Sequence, residues 1–231
     1  METSVIIPCL NEAPTVAVCV EKALRAIRTA ATQGEVIVID NGSTDGSREL
    51  AQEAGARVVH ESVKGYGSAI RRGIREARGT YVIMADADDT YDFLQIGKFI
   101  DLLREGADLV MGNRFGGKIH PNAMPHMHRW FGTPVLTFIL RLLFKALISD
   151  VNCGMRGFRK DAIDGLDLRS DGMELASEMM IKASMMKLMI RETPVDLHAN
   201  PPNRSPHLRS LRDGWRHLRL MLALRISVPG K

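Results

Sequence analysis

Four carboxylates, Asp86, Asp88, Asp89 and Asp92, crowd into the stretch YVIMADADDTYDF, residues 81–93. They follow an apolar run, Tyr81 to Ala85, that reads as a buried strand opening abruptly into negative charge. Like charges this close penalise one another's ionisation. A divalent cation would remove that penalty. Asp86, Asp88 and Asp89 offer hard oxygen ligands, and Mg²⁺ or Mn²⁺ takes one or two carboxylates while keeping positions for substrate phosphates. The alternative is a solvated acidic turn whose aspartates cap the helix expected over about 92–105.

Such a cluster needs a frame. Short β-branched runs alternate with helical patterns: SVIIPC (4–9), a helix from about Pro14 to Ala31, EVIVID (35–40), a helix to about Gly55, RVVH (57–60), then a helix that follows KGYG and ends near Gly79. TYVIMA (80–85), the helix around 92–105 and DLVMG (108–112) complete the series. This order predicts an α/β fold, a mostly parallel sheet covered on both faces. Asn11 with Glu12, Asp40 and Asp86 stand where three of these strands end, the edge at which open parallel sheets bind ligands. Neither G-x-G-x-x-G after the first strand nor G-x-x-x-x-G-K-[ST] is present, so no dinucleotide-type or Walker-type loop holds phosphates. In KGYGSA, Lys64 and Gly65 could bring charge and backbone N–H groups to an anion, or could form an ordinary strand-to-helix turn.

Composition narrows the class. The 231 residues are 45% hydrophobic and 25% charged, a globular balance. Three scattered cysteines, Cys9, Cys19 and Cys153, suggest neither a disulfide framework nor a zinc site and fit a reducing compartment. The N-terminus lacks a signal-peptide layout, and no apolar run is long enough to span a bilayer, so the expected location is cytoplasmic. Beyond residue 199, seven basic residues face Asp213 alone; that is +6 against a whole-chain +4, leaving the first 199 residues at −2. A basic tail on a slightly acidic body points to an anionic partner. Aromatics are only 5% and do not interleave the arginines, which argues against nucleic acid.

Two stretches are suited to a membrane surface. TPVLTFILRLLFKALIS (133–149) sets Thr133, Thr137, Arg141, Lys145 and Ser149 in one narrow stripe on an otherwise apolar helix, with Trp130 just ahead. It is either core or interfacial, and the two cations favour the interface. Nearer the C-terminus, Arg209, Arg212, Arg216 and Arg219 make a basic helical face, while Leu208, Leu211, Trp215, Leu218 and Leu222 make an apolar one. An alternative is a helix packed on the body with its arginines in water.

Taken in order, SVIIPCLNE, VIDNGSTDGS, KGYGSAIRRGI and ADADDTYDF resemble the nucleotide-sugar-dependent glycosyltransferases of family 2, which have the GT-A fold. GNRF and DVNCGMRGFR resemble the polyprenyl-phosphate hexosyltransferase branch typified by dolichol-phosphate mannose synthase. The resemblance spans roughly residues 4–205. It implies an inverting, metal-dependent transfer of a hexose from a UDP- or GDP-linked donor to a polyprenyl phosphate at the cytoplasmic membrane face; the alternatives are a glycosyltransferase with a soluble or glycan acceptor and a non-catalytic, membrane-associated sugar-nucleotide-binding protein. Asp40 would contact the base, Pro8, Asn11 and Glu12 would line the base and ribose pocket, and Asp86 and Asp88 would form the D-x-D pair. Asp88 is the favoured metal ligand. Thr90 stands where mannose synthases often carry a further metal-contacting Gln, and Asp89 is a candidate substitute. Arg114, Arg129, Arg156 and Arg204 are candidates for the acceptor phosphate, since guanidinium groups bind phosphate through paired donors. Asp150 would lie near the acceptor, orienting an arginine, contacting the sugar or capping a turn. The expected organisation is a GT-A domain over 1–205, with a donor half to about 115 and an acceptor half over 116–205, then a basic amphipathic helix over 206–231. Many relatives of this branch continue into transmembrane helices, whereas this chain stops at Lys231; the expectation is a peripheral protein on the inner membrane face, or a homo-oligomer.

Overall fold

A computed structural model of the chain describes residues 1–200 and 210–227. Strands β1 (Thr3–Cys9), β2 (Gly34–Asp40), β3 (Arg57–His60), β4 (Tyr81–Met84), β5 (Leu109–Asn113), β6 (Arg156–Arg159) and β7 (Ile190–Pro194) form one sheet in the order β3-β2-β1-β4-β6-β5-β7. The β-branched runs of β1 and β2 are paired parallel in register, Val5 with Val36 and Ile7 with Val38, at the buried centre. β4 lies parallel to β1, and β7 parallel to β5. β6 alone is reversed, antiparallel to both β4 and β5. The sheet is thus mostly parallel, and the reversed strand is a feature the sequence reading lacks. Its four residues, RGFR, carry two arginines and a glycine and show no strand-like alternation.

Helices α1 (Val16–Thr29), α2 (Ser47–Glu53) and α4 (Ile96–Arg104) cover one face; α3 (Tyr66–Glu76), α5 (Thr133–Phe144), α7 (Leu175–Met185) and α8 (Ser210–Ser227) cover the other, and α6 (Lys160–Asp164) follows β6. The first layer packs Val16, Val20, Phe99 and Ile100 onto Val5, Val38 and Ile83. The second packs Ile70, Leu140, Met180 and Met221 onto Ile6, Val82 and Leu109. Burial of such side chains, about 1.5–3 kcal/mol each, is the main stabilising term for both layers.

Two expected elements are altered. The 133–149 helix stops at Phe144, because Lys145 adopts a left-handed φ of 55° and ends the ladder; a π turn, His128–Gly132, leads into it. The proposed division at about 115 runs through the sheet: β6 and β7 come from the second half yet flank β5 of the first. Arg204, Arg209 and Leu208 lie outside the described residues. Among the described residues no helix is long and apolar enough to cross a membrane.

Candidate active site

The carboxyl ends of the parallel strands and the start of β6 share one rim, and the predicted polar residues gather there. Asp86 and Asp88 leave β4 directly. Asp88 is almost fully buried, and its Oδ1 accepts from the Thr90 amide at 3.1 Å and the Thr90 hydroxyl at 2.6 Å. Thr90, standing at the place of the expected Gln, therefore fixes the Asp88 carboxylate. Tyr66, the first residue of α3, hydrogen-bonds Asp86; burial and that neighbouring carboxylate push its phenol well above the ordinary 10. Asp86 also requires a glycine opposite it, since a Cβ on Gly154 would lie 2.6 Å from Asp86 Oδ2. Tyr91 holds that glycine in place by accepting its amide at 2.9 Å. A cavity of about 50 Å³ beside Asp86 is lined by Tyr66, Asn152, Gly154, Arg156 and Met173.

Asp89 is placed differently from its expected role. Its left-handed φ of 58° turns the side chain away, and both carboxylate oxygens are taken by Lys22 Nζ at 2.7 and 2.9 Å. Among the described residues no group of three or more His, Cys, Asp or Glu is arranged to hold a metal. Asp89, expected as a further ligand, is paired with Lys22 in this structure. An open cleft of about 440 Å³ beside it is bordered by Lys22, Asp88, Asp89, Asp92 and His198. His198 escaped the sequence reading. It reaches the site because its amide donates to Thr90 O at 2.8 Å, and its ring stacks on His120 with centroids 4.3 Å apart.

The residues expected to line the base and ribose pocket are tied together by hydrogen bonds. Pro8 is buried within β1, opposite Ile39. Asn11, at a left-handed φ of 56°, accepts the Thr44 amide at 2.9 Å and donates its own amide to Ser43 Oγ at 3.0 Å. The amide of buried Glu12 donates to Ser47 Oγ at 2.8 Å, so the loops after β1 and β2 are laced together. Asp40 is buried at the end of β2, accepting amides from Ser43 at 2.9 Å and Gly42 at 3.2 Å, with His60 Nδ1 at 3.3 Å. Burial opposes its ionisation, but these hydrogen bonds outweigh that and hold its carboxyl below the ordinary 3.8.

The glycine turn is not an open anion site. Gly67 and Ser68 amides both donate to Asp171 O, Gly65 N donates to Asn41 Oδ1 at 2.8 Å, and Lys64 Nζ donates to Asn41 O at 2.7 Å. Lys64 and Gly65 tie the loop after β2 to α3, which corrects the phosphate-cradle reading.

Nor do the arginines form one phosphate clamp. Arg114 at the end of β5 grips buried Asp150 with Nε at 2.6 Å and Nη2 at 2.7 Å. Burial would lower its pKa, but Tyr91 and Asp150 raise it above the ordinary value. Asp150 also accepts the Arg114 backbone amide at 3.2 Å, so it is an orienting residue. Arg156 is fully buried and donates to the carbonyls of Cys153, Val151 and Ala176 at 2.9–3.0 Å. It braces the 150–155 loop and, being buried, does not present a guanidinium to a lipid phosphate, contrary to the expected acceptor role. Arg129 is half-buried and stacks over Trp130, 5.6 Å from the ring centroid.

The sequence profile of the family described as "Glycosyl transferase family 2" matches residues 4–166. The low-salt glycan biosynthesis hexosyltransferase Agl6 of Haloferax volcanii is 42% identical over 228 residues, covering 98% of this chain and 54% of that protein, so the chain spans about half of that relative's length. A dolichyl-phosphate hexose transferase of the same organism is 30% identical over 71% of this chain and 69% of its own. Among solved structures, glucosyl-3-phosphoglycerate synthase of Mycobacterium tuberculosis, crystallised with Mg²⁺ and uridine diphosphate, aligns with a TM-score of 0.74 at 22% identity, over 100% of this chain and 81% of that one.

Proposed function

The chain belongs to glycosyl transferase family 2, is a glycosyltransferase of the GT-A fold, and on that premise we propose that it moves a hexose from a UDP- or GDP-linked donor to a polyprenyl phosphate. The observation that carries the donor half of this reading is the pair Asp86 and Asp88 at the rim of β4, each held by a hydroxyl, Tyr66 and Thr90. The donor set suits a divalent ion. Magnesium takes only one or two protein carboxylates and fills its remaining positions with water and phosphate oxygens. Asp86 and Asp88 would hold the ion, with the His198 imidazole available at the cleft edge. A bound Mg²⁺ or Mn²⁺ would act as a Lewis acid on the departing diphosphate.

The protein's own groups do the rest. The laced loops after β1 and β2 offer a preformed wall for base and ribose, with Asn11 exposed at its lip. The acceptor side is the loop 150–155, fixed by the Arg114–Asp150 pair and by Arg156 from below. A phosphate-ester acceptor is already anionic near neutral pH, so its oxygen attacks the anomeric carbon with inversion and no strong general base is needed. Arg129, and Arg204 outside the described residues, remain as cations for that phosphate. One relative is named a dolichyl-phosphate hexose transferase, and the lipid acceptor is proposed here by likeness to it.

Purified full chain should move label from a radiolabelled nucleotide sugar into organic solvent only when polyprenyl phosphate is supplied. Asp88→Asn should lower that transfer by about 10²–10³-fold, the scale of losing one preorganised electrostatic contact, while circular dichroism and melting stay near wild type. Label that enters only water-soluble products would remove the lipid acceptor, and a fully active Asp88→Asn enzyme would remove the ion site.

A further inference from the structure

Threonine at a helix N-cap ordinarily turns its hydroxyl back to accept an amide of the first turn. Thr15, the N-cap of α1, makes no such side-chain bond. Its Oγ1 instead donates at 2.7 Å to the carbonyl of Ala87, the residue between Asp86 and Asp88, across 72 positions of sequence. A hydroxyl has one hydrogen to give. The Glu12 carbonyl, 3.3 Å from the same oxygen, already accepts the Thr15 and Val16 amides at 3.0 and 2.9 Å, so that hydrogen goes to Ala87. Thr15 and Ala87 are both buried, where a carbonyl needs a partner.

The same face of α1 makes two further contacts with that turn. Cys19 and Lys22 follow Thr15 at spacings of four and three, which keeps all three on one side of the helix. The Cys19 thiol meets the Asp89 backbone amide, and Lys22 Nζ takes both Asp89 carboxylate oxygens at 2.7 and 2.9 Å. Asp89 has a left-handed φ of 58°, which a residue with a side chain holds at a cost and only where its surroundings fix it. That bend lies between Asp88 and Thr90, whose amide and hydroxyl reach back to the Asp88 carboxylate. α1 is itself anchored, with Val16, Val20 and Ala23 fully buried in the layer against the sheet.

We infer that Thr15, Cys19 and Lys22 are positioning residues: this face of α1 mounts the turn 86–90 from behind and sets how the Asp86 and Asp88 carboxylates are presented to a divalent ion. The inference rests on the ion site proposed above and deepens it. The three side chains act through the Ala87 peptide and through Asp89, which they hold directly. A metal site is only as well formed as the shell behind its ligands, and loss of an outer partner lowers metal affinity about 10–100-fold. It also explains why a threonine placed to cap its own helix spends its hydroxyl on a distant carbonyl.

The test is Mn²⁺ binding by the full chain, followed by water-proton relaxation with uridine diphosphate or guanosine diphosphate present, no acceptor, and a temperature well below melting. Thr15→Val keeps the shape and removes the hydroxyl; it should bind Mn²⁺ at least about tenfold more weakly. Thr15→Ser, which restores the hydroxyl, should return close to wild type. Lys22→Gln should weaken binding as well, although loss of a nearby cation would by charge alone tighten it. Wild type that binds no Mn²⁺, or Asp88→Asn that binds it equally, would remove the ion site and this inference with it. If wild type binds and Asp88→Asn does not, a Thr15→Val protein with wild-type affinity would overturn the mount alone, even if its melting point fell. So would unchanged or tighter binding by Lys22→Gln, the variant that decides the matter should Thr15→Val fail to fold.

Discussion

At the scale of single residues, the site is organised by side chains that hold other side chains. Asp150 is an instance: its carboxylate meets three N–H groups of Arg114 and is itself fully buried. Asp150→Asn would leave the guanidinium buried without a countercharge, and breaking a buried pair from one side costs about 3–5 kcal/mol. Urea unfolding should show that loss as a lower midpoint with an unchanged slope; a variant as stable as wild type would show that Arg114 finds compensation elsewhere. The sequence exposed such residues unevenly. The place of Asp86 and Asp88 at the end of β4 was legible because an apolar run breaks into carboxylates there. Asp89, one position on, has the same chemistry, but its backbone angle and its distant partner Lys22 decide its fate, and neither is written locally. Arg156 was misread for the same reason: an arginine that spends itself on three carbonyls looks, in sequence, like one that waits for phosphate.

Elements were more readable than their orientations. Val- and Ile-rich runs located β1, β2, β4 and β5, whereas β6 is too short and too polar to announce itself. For α8, periodicity gave a basic stripe and an apolar stripe, and among the described side chains neither is fully buried: its seat is the third stripe, Asp213, His217 and Met221. Which stripe is inside depends on α7, which offers Ser177 and Glu174. This seat has a pH dependence. Burial lowers the pKa of His217 below its ordinary 6.5, against the pull of Glu174 and Asp213 and with further lowering from Arg156 and Arg216. The unfolded chain therefore binds the proton more readily, and the stabilisation is complete above about pH 6.5 and declines as pH falls through the lower folded value. Melting temperature should drop as pH falls below about 6.5, and His217→Gln should flatten that slope. An equal slope in the variant would place the titrating group elsewhere.

For the molecule as a whole, the expected boundary near residue 115 runs through the sheet. A donor half ending near residue 115 contains β5 but neither of its neighbours, since β6 and β7 both come from beyond that point. A fragment of residues 1–115 should consequently lack a cooperative thermal transition by circular dichroism, whereas an independent melt would show that β1 to β4 suffice. Sequence order could not reveal this, because pairing across the sheet is a property of the closed fold. It bears also on how the protein is made. As the polypeptide leaves the ribosome, Leu109–Asn113 emerges with both edges bare, and the last of its companions, Ile190–Pro194, arrives only several seconds later at about 5–20 residues per second. During that interval an apolar ribbon is open to pairing with other nascent chains, so slower growth temperatures or an abundant chaperone should decide the yield of native enzyme more than any change at the catalytic rim.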